Sequence, residues 1–248
     1  MSLDVRILSA RYRGREVLSG VGFRAESGTL TAVIGRNGSG KSTLVSCMAS
    51  LVPYEGEVCA DGVRLSELDV RARARYLSAM LQELRRPHVT VRELVAFGRQ
   101  PYRSVWRSTV ASDARVDGAL EAADLLELAD RYVDQLSGGE VRRAYFGALL
   151  AQDAPNVILD EATAFMDADY ERRFLEMACA LRDGGKTVVA VMHDLSAAVR
   201  YADRILLLEN GTQRFFGCTE DLLRTDLVER AFSVRRYSTP DLTLFTGL

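Results

Sequence analysis

A glycine-rich run between a short apolar stretch and a helix-like stretch is the strongest candidate for chemistry. It reads GRNGSGKST over residues 35–43 and matches the spacing G-x4-G-K-[S/T]. Glycines let backbone N–H groups turn inward around phosphate oxygens, and the start of the following helix adds a positive dipole. Lys41 would reach the β- and γ-phosphates of a nucleoside triphosphate, and the Ser42 hydroxyl would bind Mg²⁺. The expected nucleotide ligands are Gly35, Arg36, Asn37, Gly38, Ser39, Gly40, Lys41, Ser42 and Thr43.

A second glycine turn, Ser137-Gly138-Gly139-Glu140, also leads into a helical pattern. Val141, Tyr145, Ala148 and Leu149 of that pattern are expected on one helical face. The same physics makes the start of this helix a second possible anion site. Taken alone, the turn is better interpreted as a plain helix cap, and it becomes informative only beside the glycine-rich run.

Two acids, Asp160 and Glu161, follow the apolar run VIL. Acids at the carboxyl end of a buried strand lie where α/β sheets place their ligands. Asp160 would hold Mg²⁺, and Glu161, one residue beyond the strand, would polarise an attacking water. An isolated pair of this kind is usually only an exposed strand end, so the reading depends on the glycine-rich run upstream.

Three further side chains are candidates through their positions. His193 follows the apolar run TVVAVM, and its strand should open on the same crevice as Asp160. Gln82 ends a strand-like segment, and its amide would reach Mg²⁺ or the water. Tyr12 precedes the glycine-rich run and would stack on a base. Without further context, a lone histidine is more often structural, a glutamine is uninformative, and Tyr12 is better interpreted as a core tyrosine. His88 has no such context and is expected at the surface.

Composition limits the class of protein. The chain has 248 residues, 48% of them hydrophobic, and a formal net charge of −2. This near balance gives no sign of a basic nucleic-acid-binding face, so no nucleic-acid partner is expected. The four cysteines lack metal-ligand or CxxC spacing, which predicts reduced thiols. Neither a signal peptide nor a run of about 20 apolar residues is recognised, so any membrane-spanning partner would be another chain.

Short apolar runs alternate with longer amphipathic stretches, which predicts an α/β protein. The first strands alternate in polarity, which favours an antiparallel sheet, whereas VILD and TVVAVM are typical of a buried parallel sheet. A single domain over residues 1–248 is expected, with a helical subdomain inserted over about 82–155. Predicted strands are Asp4–Ser9, Glu16–Ala25, Thr29–Ile34, Glu57–Ala60, Tyr76–Met80, Asn156–Asp160, Thr187–Met192 and Arg204–Glu209.

These motifs, in this order, resemble the ABC transporter ATPases over essentially the whole chain. In that family Tyr12 looks like the A-loop aromatic, GRNGSGKST the Walker A motif and Gln82 the Q-loop. LSGGE resembles the signature motif, VILDE the Walker B strand with its catalytic glutamate Glu161, and His193 the switch histidine. Asp167 resembles the D-loop aspartate. The resemblance implies a P-loop NTPase core with an antiparallel β subdomain and an inserted helical subdomain.

Three departures are visible. Glu140 and Ala162 stand where glutamine and proline are commoner, and the D-loop reads AFMD instead of ending Leu-Asp. None removes a phosphate, metal or water ligand, so an active ATPase is expected.

The resemblance implies a head-to-tail homodimer in which Ser137, Gly138, Gly139, Glu140 and Asp167 of one chain approach ATP held by the other. Such a dimer explains why one chain carries two anion sites. The implied partners are transmembrane permease subunits and, indirectly, a periplasmic or lipoprotein substrate-binding protein. The implied location is the cytoplasmic face of the plasma membrane.

Residues 98–103, GRQPYR, are similar to importers of iron–siderophore, haem and cobalamin, which favours an importer of a metal chelate. An ABC exporter ATPase and a soluble ABC ATPase outside transport stay as alternatives. A P-loop small-molecule kinase would not need LSGGE, and a silent regulatory ATPase would not need both Glu161 and His193.

Overall fold

The structure, a computed structural model, describes residues 2–12, 14–102, 114–160, 168–239 and 243–247. Its strands are β1 Ser2–Tyr12, β2 Arg15–Glu26, β3 Leu30–Ile34, β4 Tyr54–Ala60, β5 Val63–Arg64, β6 Leu77–Met80, β7 Asn156–Asp160, β8 Thr187–Val191, β9 Arg204–Glu209, β10 Thr212–Cys218, β11 Val234–Ser238 and β12 Thr243–Gly247. Its helices are α1 Lys41–Met48, α2 Val70–Arg73, α3 Val91–Phe97, α4 Ala114–Ala122, α5 Gly138–Gln152, α6 Ala168–Asp183, α7 Leu195–Tyr201, α8 Thr219–Leu223 and α9 Leu227–Phe232.

A six-stranded sheet carries the glycine-rich loop. Its order is β10-β9-β3-β8-β7-β6, and its strands are parallel except for β10, which runs antiparallel to β9. Every residue of β3, β7 and β8 is buried, as expected for strands covered on both faces. The predicted α/β class and the parallel core are therefore confirmed.

The antiparallel sheet predicted at the start of the chain is also present. Its order is β2-β1-β4-β5, and β1 pairs with β2 along most of its length. Apolar side chains from this sheet, including Val5 and Leu18, share one core with Val33 and Val189 of the parallel sheet. This shared core fixes β2 beside the loop that follows β3.

Between Gln82 and Pro155 the described elements are α3, α4, α5 and short 3-10 turns. Side chains such as Val95, Leu120 and Val141 form a separate core there. The single apolar face predicted for α5 is incomplete. Phe146 and Leu149 pack into the core under the parallel sheet while Val141 packs into the helical core, so α5 is buried on two sides.

The sequence analysis did not predict β5, β10, β11 and β12. The register of β10 shifts between Gln213 and Phe215, which breaks the alternation that would have marked the strand. The hairpin β11–β12 packs Val234 and Phe245 against the core through tertiary contacts. No helix in the described residues combines the length and the apolar character needed to cross a bilayer.

Candidate functional site

The loop over residues 35–40 joins β3 to α1, and two of its glycines are required by the fold. A side chain on Gly35 would place its Cβ 2.4 Å from the Leu208 carbonyl oxygen. Gly40 has φ +102°, and a Cβ there would meet Leu18 Cδ2 at 2.6 Å. Because β2 and β9 crowd it on both sides, the loop must stay close to its backbone path.

Lys41, the first residue of α1, is held within this loop. It is 5% exposed, and its ammonium donates hydrogen bonds to the carbonyl oxygens of Gly35 at 2.7 Å and Arg36 at 3.2 Å. A buried ammonium requires such partners. The arrangement keeps a positive charge at the concave surface of the loop.

A cavity of about 380 Å³ opens over the loop and brings together residues from distant parts of the sequence. It is lined by Val17, Asn37, Gly38, Gly40, Lys41, Ser42, Thr43, Gln82 and His193. The structure thus places Gln82 and His193 on one cavity with the glycine-rich loop. Val17 was missed by sequence reasoning, because alternation in β2 carries no sign of which loop the strand will touch.

Four other predicted residues do not line this cavity. Gly35 and Ser39 are buried, and Arg36 is exposed outside the lining. Asp160 is 4% exposed at the carboxyl end of β7 and pairs with Val191 of β8, two residues before His193.

Three predicted residues lie wholly or partly outside the described part of the structure. Tyr12 ends β1, but its side chain lies outside the described part of the molecule. Glu161 and Asp167 lie outside the described residues altogether.

The turn at residues 137–140 begins α5 and shares no lining residue with the cavity over the glycine-rich loop. Ser137 caps the helix: its backbone N–H and its hydroxyl both donate to Glu140 Oε2 at 2.7 Å. The Ser137 hydroxyl, and next its backbone N–H, lower the pKa of the Glu140 carboxyl. A charged carboxylate is therefore fixed at the start of α5.

Gly138 and Gly139 differ from the glycines of the first loop. Neither has positive φ, and a Cβ at either position would meet no described atom within 4 Å. Nothing in the described part of the chain explains why these positions lack side chains. Gly138 is exposed and Gly139 is half-buried, so the start of the helix leaves room for a second molecule to approach the backbone closely.

The segment after Gln82 is hydrogen-bonded to the residues around the start of α5. The Arg86 guanidinium donates to the Leu136 carbonyl oxygen at 2.6 Å, and the Tyr145 hydroxyl of α5 donates to the Arg85 carbonyl oxygen at 2.9 Å. His88, exposed as predicted, stacks on Tyr132 with ring centroids 4.3 Å apart. Two hydrogen bonds thus connect the segment that follows Gln82 with the start of α5.

The GRQPYR run has a structural explanation for two of its residues. A Cβ on Gly98 would lie 2.1 Å from the Ala148 carbonyl oxygen, so glycine allows α3 to end against α5. Arg99 is buried, donates to the Ala151 carbonyl oxygen at 2.7 Å and packs over the Tyr102 ring at 4.4 Å. Arg103 lies outside the described residues.

Comparison with known proteins agrees with this geometry. A family model described as ABC transporter matches residues 18–164, which span the glycine-rich loop, Gln82, the turn at 137–140 and Asp160. The chain belongs to the ABC transporter family. It is an ATP-binding protein and an ATPase of that family, as expected from the motifs.

The chain is similar over nearly its full length to two ATP-binding transport proteins. It is 34% identical to the petrobactin import ATP-binding protein of Bacillus subtilis (strain 168), covering 94% of this chain and 93% of that protein. It is 39% identical to the hemin import ATP-binding protein of Nocardia farcinica (strain IFM 10152), covering 94% and 83%.

A solved ATP-binding cassette of an ABC transporter in its ADP conformation superimposes with a TM-score of 0.80. The two sequences are 21% identical, and the superposition covers 94% of this chain and 99% of that chain. The likeness confirms the fold: an ABC-type P-loop core with an antiparallel β subdomain and an inserted helical subdomain.

Proposed function

We propose that the chain is the MgATP-hydrolysing subunit of an ABC importer for a metal chelate. The cavity shared by the glycine-rich loop, Gln82 and His193 carries this proposal. It unites phosphate-binding backbone, a buried lysine and two polar side chains at the carboxyl edge of a parallel sheet, where nucleotide sites of α/β proteins lie.

ATP would bind along the loop at residues 35–43. Backbone N–H groups from Gly38 to Ser42 would surround the phosphate oxygens, and Lys41 would exchange its carbonyl partners for the β- and γ-phosphates. Tyr12 would stack on adenine. Val17, on the wall of the same cavity, would contact the nucleotide on its apolar side.

Mg²⁺ suits the donor set beside the loop. Ser42 and Gln82 offer a hydroxyl and an amide oxygen on the cavity wall, and Asp160 offers a carboxylate at the adjoining strand end. Oxygen ligands of these types are those that Mg²⁺ prefers. When bound, the ion would neutralise charge on the β- and γ-phosphates.

Hydrolysis would depend on two side chains next to the γ-phosphate. Glu161 would accept a proton from the attacking water, and His193 would contact the γ-phosphate and hold it in place. Gln82 would respond to the presence of the γ-phosphate. Any shift of Gln82 would be passed to the start of α5, because the segment that follows Gln82 is hydrogen-bonded to Leu136.

A head-to-tail homodimer would complete the site. The turn Ser137–Gly139 lies apart from the cavity of its own chain, and its glycines leave the backbone open. In the dimer this turn and Asp167 would cover ATP bound to the other protomer. Loss of the γ-phosphate would then remove a contact shared by both protomers and open the dimer.

The importer assignment is supported by the petrobactin and hemin import relatives and by the GRQPYR run. Partners would be transmembrane permease subunits and, through them, a periplasmic or lipoprotein binding protein that delivers an iron–siderophore, haem or cobalamin. The chain would work as a peripheral protein at the cytoplasmic face of the plasma membrane. The helical subdomain near Gln82 would transmit closure to the permease.

Uptake of labelled iron–siderophore, haem and cobalamin by source cells lacking this chain tests the proposal. Wild type should restore uptake of one ligand, whereas Glu161→Gln and Lys41→Ala should not, even though both accumulate as folded protein. Normal uptake of all three ligands without the chain would overturn the chelate assignment. Rescue by Glu161→Gln would overturn the role of hydrolysis. Loss of ligand efflux instead of uptake would identify an exporter.

A further inference from the structure

Glu140, the last residue of the LSGGE motif, carries a charge that the helix cap does not require. We propose that Glu140 restrains closure of the ATP-bound dimer by holding the Ser137 hydroxyl proton, which the partner's γ-phosphate needs. This inference rests on the proposed function and adds a regulating residue to its trans site.

The backbone N–H and the hydroxyl of Ser137 both donate to the same carboxylate oxygen of Glu140. The Ser137 backbone N–H and hydroxyl each lie 2.7 Å from Glu140 Oε2, and the Glu140 N–H points back to Ser137 Oγ at 3.4 Å. A serine hydroxyl has a single proton. When a phosphate arrives, the hydroxyl must therefore give up a charge-assisted hydrogen bond before it can donate to the ligand.

A glutamine at this position would behave differently. Its carbonyl oxygen would still cap the Ser137 N–H, so the helix start would be kept. Its NH₂ group can donate to Ser137 Oγ and leave the hydroxyl proton free to turn toward a phosphate, whereas an ionised carboxylate only accepts. The lowered pKa of Glu140 keeps it ionised at neutral pH.

Further acidic side chains lie near Glu140. Glu140 borders a cavity of about 430 Å³ that is lined by three more acids, Glu121, Asp124 and Glu127. The cation in the lining, Arg143, donates to Asp124 Oδ2 at 2.9 Å. Glu140 therefore adds its charge to a group of acidic side chains near the start of α5.

The chain contains a matched cap that is not near the nucleotide cavity. At the start of α3 the Thr90 N–H donates to Glu93 Oε2 at 2.8 Å and the Thr90 hydroxyl donates to it at 3.1 Å. This cap has the same donors and acceptors as that of Ser137 and Glu140, and none of its residues lines the nucleotide cavity. Glu93→Gln therefore reports the effect of removing a capping charge by itself.

The test measures ATP-dependent dimerisation of the full chain in a Glu161→Gln background, by sedimentation over an ATP titration. Adding Glu140→Gln should lower the ATP concentration for half-maximal dimer about fivefold, the scale of the net contribution of one hydrogen bond. Binding of ADP to the monomer should not change, because Glu140 acts on the partner's nucleotide. Glu93→Gln should leave both quantities unchanged.

A double-mutant cycle assigns the effect to the hydroxyl. In a Ser137→Ala background, Glu140→Gln should have no effect on dimerisation. The same gain with and without the hydroxyl would overturn the proposal in favour of bulk charge, and no gain, or weaker dimerisation, in Glu140→Gln would overturn it outright. If the Glu161→Gln parent itself fails to dimerise with ATP, the proposed head-to-tail dimer fails, and this inference fails with it.

Discussion

The guanidinium of Arg86 donates a hydrogen bond to the carbonyl oxygen of Leu136, 2.6 Å away, across 50 residues of sequence. Arg86 lies four residues after Gln82 on the nucleotide cavity, and Leu136 immediately precedes Ser137. One hydrogen bond therefore connects the segment proposed to sense ATP in its own chain with the turn proposed to cover ATP in the partner.

Arg86→Met should weaken this connection without emptying the nucleotide site. We expect the ATPase kcat to fall about threefold to tenfold, the scale of the net contribution of one hydrogen bond. ADP affinity should not change, since Arg86 does not line the cavity. Arg86→Lys, which keeps a charged donor, should recover part of the rate. An equal loss in the exposed neighbour Arg85→Met would contradict the assignment.

Gly98→Ala should destabilise the helical subdomain. The new Cβ would lie 2.1 Å from the Ala148 carbonyl oxygen and 3.0 Å from the Gln152 nitrogen, so α3 and α5 must separate. We expect a loss of about 2 kcal/mol in the free energy of unfolding, typical of overpacking, measured by urea denaturation.

Gly118→Ala is the matched control for Gly98→Ala. Gly118 lies in α4, and a Cβ there meets no described atom within 4 Å. Alanine should leave stability unchanged or raise it by up to about 1 kcal/mol through helix propensity. Similar losses for both variants would mean that the contact of α3 with α5 is not the cause.

Cys47 of α1 should not react with thiol-alkylating reagents while the chain is folded. It is fully buried, and burial raises its pKa from 9.0 to about 11, so almost no thiolate exists at neutral pH. Iodoacetamide labelling followed by mass spectrometry should modify the half-buried Cys218 first and Cys47 only in urea. Equal labelling of both thiols in the native protein would contradict this prediction.

The same pKa shift makes the stability of the fold depend on pH. Because the pKa of Cys47 is higher in the folded chain, the neutral thiol stabilises the fold fully below pH 9.0, and this stabilisation is lost as the pH rises toward 11.

The sequence predicted the sheet core and the loop chemistry because both depend on local signals. Uninterrupted apolar runs identified β7 and β8, and glycine spacing identified the loop before Lys41. Contacts that depend on tertiary packing left no local signal. Val17 reaches the nucleotide cavity only because two sheets share a core, and Arg86 reaches Leu136 only once the helical subdomain has folded.

Gly139→Ala separates the stability of the protomer from the function of the dimer. The position lies in the first turn of α5 with open space around it, so alanine should raise the free energy of unfolding by about 0.5–1 kcal/mol. The added methyl group should obstruct the partner's nucleotide, so ATP-dependent dimerisation and ATPase activity should fall at least tenfold while ADP binding to the monomer persists. Urea denaturation, sedimentation with ATP and phosphate release measure the three quantities. If dimerisation and turnover stay at wild-type levels, the turn does not approach the nucleotide, and the head-to-tail arrangement must be abandoned.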